Sequence, residues 1–153
     1  LGLGDLSLVD PDNRRPLDLA HLADDHAVEK RNLITSVLHI RRQQPELFAA
    51  GRYIPLEVEG EMSGHIIAFA RSDEKHSLIV IVTRLVFDLV SDSSVRIAEL
   101  WRGTRVILPE DLAYPWFRTV FADKLIDTSE GTIAIDAAFA GLPYALLMAD
   151  VSH

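Results

Sequence analysis

Leu78-Ile79-Val80-Ile81-Val82 is the stretch that most narrows what this chain can become. Five apolar residues in a row, three of them carrying no polar neighbour on either side, leave no face to offer to water. β-branching at Ile and Val stiffens χ1 and favours a pleated strand over a helix. Such a run predicts a strand covered on both faces, in the interior of a sheet. The wider run is Ser77–Leu85, and a buried strand needs neighbours. Tyr53–Val58, His65–Arg71, Arg96–Trp101, Thr104–Leu108, Phe117–Phe121, Thr132–Asp136 and Tyr144–Ala149 are further short β-branched or aromatic runs. Turn signals separate them at Gly60, Ser63-Gly64, Ser72-Asp73, Ser91-Asp92-Ser93-Ser94, Gly103, Pro109, Ser129-Glu130-Gly131 and Gly141-Leu142-Pro143. Short strands punctuated in this way predict an antiparallel sandwich or open barrel over 51–153. Asp88–Asp92 and Glu110–Tyr114 are predicted as loop or strand edge.

The first third has a different texture. Leu33, Ile34, Val37, Leu38 and Arg41 recur at helical spacing inside a predicted helix over Ala27–Gln44, with charge on the opposite side. Arg41-Arg42 suit the negative end of that helix, and Pro45 stops it. Pro45–Ala50 predicts one further turn closed by Gly51. Pro16–Ala23 predicts a short helix, with Asp24-Asp25 as a polar break. The expected class is α+β: a helical N-terminal third, 1–50, then an all-β antiparallel sandwich domain, 51–153.

Composition removes several function classes. A formal net charge of −8 and a pI near 5.1 disfavour a nucleic-acid or anionic-membrane surface. Zero cysteines exclude disulfides and thiolate metal sites and suit a cytoplasmic protein. No apolar run reaches the roughly 18 residues of a membrane span. The opening Leu1-Gly2-Leu3-Gly4, without an initiator Met, predicts a piece of a longer protein.

His21 and His26 are not on one helical face, and His39, His65, His76 and His153 stand singly, so no metal is expected. Asp10-Pro11-Asp12 begins like a calcium loop, but Arg14 and Arg15 put two positive charges inside the cage, and His21 stands where the closing Glu belongs. No nucleophile elbow, reactive thiol or glycine-rich phosphate loop is present. The carboxylate pairs Asp24/Asp25 and Glu110/Asp111 are adjacent in sequence and diverge on regular structure. No cofactor is expected, and no self-sufficient active site. Trp101, Tyr114, Trp116, Phe117 and Phe121 would serve as a sugar platform if exposed; at strand spacing they are more often core.

One loop carries more fixed polar geometry than a corner requires. Val9-Asp10-Pro11-Asp12-Asn13-Arg14-Arg15-Pro16-Leu17-Asp18 holds two prolines, three carboxylates, an Asn and paired arginines. It is either a salt-bridged surface turn or a binding loop held rigid by proline. The block from Asp5 to Pro16 resembles the segment after the eighth barrel strand of α-amylase-type glycoside hydrolases, and within them the malto-oligosyltrehalose synthase family. Arg41-Arg42-Gln43-Gln44-Pro45-Glu46-Leu47-Phe48, Gly51-Arg52-Tyr53-Ile54-Pro55-Leu56, His65–Arg71 and Gly141–Leu147 are similar to the same family in the same order. The region Asp88–Ala122 matches nothing in it, and an aromatic residue expected near Gly4 is absent.

The resemblance implies that residues 1–50 are the end of a (β/α)₈ barrel and 51–153 its C-terminal β-domain. It implies intramolecular transglucosylation, in which the reducing-end α-1,4 bond of a malto-oligosaccharide becomes α,α-1,1. The catalytic carboxylates would lie on barrel strands outside this sequence, so no catalytic residue is expected within it. Asp10, Asp12, Asn13, Arg14 and Arg15 would help build the sugar-binding rim at the barrel's C-terminal face. The implied partners are a malto-oligosaccharide and the missing catalytic barrel, with neither nucleic acid nor membrane. Two alternatives remain: a non-catalytic carbohydrate-binding or structural β-sandwich using Trp101 or Trp116, and a piece of another amylase-class hydrolase.

Overall fold

In the computed structural model, which describes residues 25–86, 89 and 97–149, the predicted long helix is α1, Asp25–Gln43. Arg41 and Arg42 occupy its last turn, where unpaired carbonyls favour positive charge. Gln44 makes the closing bond, its N–H donating to the Ile40 carbonyl at 2.8 Å. Within the apolar stripe Leu33 and Val37 are half-buried, Ile34 and Leu38 are 47% and 54% exposed, and Ile40 beside it is buried. Helical spacing identifies an apolar face but not how far each residue of it is covered. The loop over 1–15 and the short helix from Pro16 lie outside the described residues. Backbone contacts divide the chain into two compact units, one ending at Gln44 and one beginning at Pro45.

The second unit opens with α2, Pro45–Ala49. Proline suits the first helical position, and the buried Leu47 anchors the turn. Ala50 and Gly51 both donate back to the Glu46 carbonyl, at 2.8 and 3.1 Å. A side chain at Gly51 would overlap the Leu47 carbonyl oxygen, so the predicted glycine stop has a steric reason.

Nine strands are described: β1 Arg52–Pro55, β2 Val58–Glu59, β3 Ile66–Ser72, β4 Ser77–Thr83, β5 Arg105–Ile107, β6 Trp116–Thr119, β7 Leu125–Asp127, β8 Thr132–Ala134 and β9 Tyr144–Ala149. They form an antiparallel six-stranded sheet in the order β1-β3-β4-β9-β6-β7 and a three-stranded sheet in the order β2-β5-β8. The apolar run that led the sequence reading is β4, third of six, as a strand apolar on both sides should be. The β3–β4 hairpin turns on Asp73, whose carboxylate accepts the Lys75 and His76 N–H groups at 2.8 and 2.7 Å.

The two sheets share one core. Ile66, Ala68 and Ala70 of β3, Ile79 and Ile81 of β4, Ala145 and Leu147 of β9, Phe117 of β6 and Ile126 of β7 meet Val106 and Ile133 of the smaller sheet. Outside this core the smaller sheet is tied by Arg105 to Glu59, Nη2 to Oε2, at 2.9 Å. The observed class is therefore α+β, with a helix and a β-sandwich. No described helix is long and apolar enough to cross a membrane.

Four local expectations are corrected. Arg96–Trp101, predicted as strand, contains a helical turn, α3, at Ile97–Leu100. Thr132–Asp136 is strand only to Ala134; Ile135–Phe139 is helix α4, which buries Ile135, Ala138 and Phe139 at positions i, i+3 and i+4. Glu110–Leu112, taken as loop or strand edge, is a 3₁₀ turn, and β7 had no counterpart in the sequence reading. The run Ser77–Leu85 stops pairing at Thr83, and Leu85 turns away with φ +51°.

Candidate functional site

The five residues that sequence reasoning singled out, Asp10, Asp12, Asn13, Arg14 and Arg15, lie outside the described residues. Chemistry in the described part must come from the sandwich and its turns. Among the described residues no three His, Asp or Glu side chains converge as a metal site would require.

Among the described residues two carboxyls are held below their ordinary pKa, and both belong to turns. The Asp73 carboxyl is held below the usual range, chiefly by the Lys75 backbone N–H, against a smaller opposing effect of burial and with help from His76. Asp127 is likewise lowered by the Ser129 backbone N–H, which donates at 2.9 Å. A general acid at neutral pH needs its pKa raised, so these groups hold turns rather than deliver protons. The buried hydroxyls of Ser72 and Ser77 lie 2.8 Å apart, and Ser77 is 3.4 Å from the Tyr114 hydroxyl. Hydroxyls bonded to hydroxyls have no base to activate them as nucleophiles. They close the end of the β3–β4 hairpin.

The proposed aromatic platform does not assemble. Trp101 is 3% exposed and packs edge-on to Phe139, with centroids 5.5 Å apart. Its indole N–H is buried and has no hydrogen-bond partner among the described residues. Phe117 is fully buried against the edge of Tyr114, and Phe121 meets Tyr144 edge-on at 5.3 Å. Trp116 is half-buried on β6, opposite Asp127. The sequence reading missed the most exposed ring among the described residues, Tyr53 of β1, which is 57% exposed and tilted 33° over Phe69 at 5.0 Å. Alternation within Arg52–Pro55 separates Tyr53 from Ile54; only the register with β3 tells which side faces outward.

Two further ionic contacts among the described residues are surface ties. Arg52 reaches Asp111 at 2.6 Å and Arg118 reaches Asp123 at 3.1 Å. Arg71 is spent differently, its Nη1 donating to the Phe48 and Gly51 carbonyls at 3.1 and 3.4 Å. It thereby caps the end of α2.

No protein-family model matches the chain. It is 35% identical, over 97% of its own length, to proteins of two Mycobacterium tuberculosis strains assigned as maltooligosyl trehalose synthase. The chain is a relative of one segment of maltooligosyltrehalose synthase. It spans 18% of the length of those relatives. The solved structure of a single-substitution mutant of maltooligosyltrehalose synthase from Arthrobacter ramosus superposes with a TM-score of 0.65 at 28% identity, covering 90% of this chain and 18% of that one. Maltooligosyltrehalose synthase thus matches the chain in both sequence and fold.

Proposed function

We propose that this sequence is the C-terminal part of a maltooligosyltrehalose synthase. In this reading residues 1–50 close a (β/α)₈ barrel and 51–153 form the β-domain behind it. The observation that carries it is the 35% identity over 97% of the chain, joined to the fold match with the Arthrobacter ramosus enzyme. The parent enzyme moves the reducing-end glucosyl unit of a malto-oligosaccharide from an α-1,4 to an α,α-1,1 linkage. A carboxylate on the barrel attacks the anomeric carbon, and the bond to the 4-oxygen of the leaving sugar breaks as a second carboxyl protonates it. The anomeric hydroxyl of the same sugar then attacks the glycosyl-enzyme and returns its proton to the second carboxylate. Net retention at the transferred carbon follows from the two displacements.

Neither carboxylate belongs to this chain, which supplies one wall of the sugar site. Arg14 and Arg15 bond sugar hydroxyls or brace neighbouring loops, and Asp10, Asp12 and Asn13 complete the loop. The reaction needs no metal or cofactor and takes place in the cytoplasm. Burial of Trp101 removes half of the support for the competing carbohydrate-binding module.

The test is turnover of maltopentaose by the full-length enzyme, followed as loss of reducing ends. Arg14→Ala and Arg15→Ala should each slow it, and the 153-residue chain alone should convert nothing. Unchanged kinetics in both variants would reduce the loop to scaffolding; non-reducing product from the chain alone would sink the reading.

A further inference from the structure

We draw no further inference here: the strongest candidate, the half-buried Trp116 of β6 with Asp127 opposite it on the edge strand β7, is a single partly covered ring beside a carboxylate that already holds a turn, and nothing in the structure shows what would lie on it.

Discussion

Gly60 and Gly103 sit beside each other where β2 ends and β5 is about to begin, and replacing each by Ala separates two physical effects. Both glycines have positive φ, +112° and +76°. That backbone alone disfavours an L side chain by about 1–2 kcal/mol. At Gly103 a methyl group would meet nothing within 4 Å, so Gly103→Ala should lose about 1–2 kcal/mol and no more. At Gly60 the same methyl would come to 2.5 Å from the Gly103 carbonyl oxygen and 2.7 Å from the Thr104 Cα. Both are backbone atoms, so no side chain can swing aside. Thr104 is itself fixed: its hydroxyl accepts the Met62 N–H at 3.4 Å and its carbonyl accepts the Ile135 N–H at 3.0 Å. Overpacking against such a site adds about 1–3 kcal/mol. Gly60→Ala should therefore lose roughly 2–5 kcal/mol, the sum of the two effects. Urea unfolding of the chain, followed by far-ultraviolet circular dichroism, measures the gap. With a slope of about 2 kcal/mol per molar, the Gly60→Ala midpoint should fall about 0.5–1.5 M below that of Gly103→Ala. Coincident midpoints at equal slope would refute the steric account of Gly60.

Phe117→Ala empties a fully buried site between the sheets and should cost about 3–5 kcal/mol in the same urea titration. Arg71→Met keeps the apolar stem but strips two carbonyls of their donor; a loss of about 1–2 kcal/mol is expected, seen as a lower thermal midpoint. Arg52→Ala breaks a short but exposed ion pair with Asp111 and should move stability by less than about 0.5 kcal/mol. Asp73 has a folded pKa below its ordinary 3.8, so its contribution is complete above that value and is lost as pH falls through the lower, folded one. Thermal melts from pH 6 to pH 2 should thus show Asp73→Asn and the unchanged chain converging at the acid end, a trend that a flat difference would contradict.

What the sequence revealed depended on how local the determining interaction was. β4 was legible because five consecutive apolar residues leave one kind of environment, and α2 because Pro45 and Gly51 act within a turn. α4 carried its signal at Ile135, Ala138 and Phe139, but the β-branched Thr132-Ile133 just before it drew the reading toward strand. β7 is three residues long, and its pairing with β6 is specified by Trp116, Phe117 and Arg118 rather than by its own composition. Arg96–Trp101 reads as a strand from its apolar and aromatic residues, although polar Arg96 and Glu99 stand three apart as on a helix; the structure coils it into α3 and drops Trp101 into the core. Exposure of Ile34, Leu38 and Tyr53 could not be read from spacing, since a period names a face and not what lies on it. The candidate loop from Asp10 to Arg15 was legible only through family resemblance, because its chemistry needs groups from elsewhere in an enzyme.

The position of β9 between β4 and β6 bears on how the domain assembles. β3 and β4 zip from a tight turn, and β6 and β7 do the same, each hairpin needing only its own residues. Neither pair touches the other within the sheet until Tyr144–Ala149 slides between them, bonded to β4 on one side and β6 on the other. The strand is a keystone delivered late in synthesis. A chain halted just before Tyr144 would hold two half-sheets with bare inner edges, each a template for the wrong strand. Folding of the sandwich therefore waits on its ninth strand, and the interval before it arrives is when this chain is most open to mispairing with copies of itself.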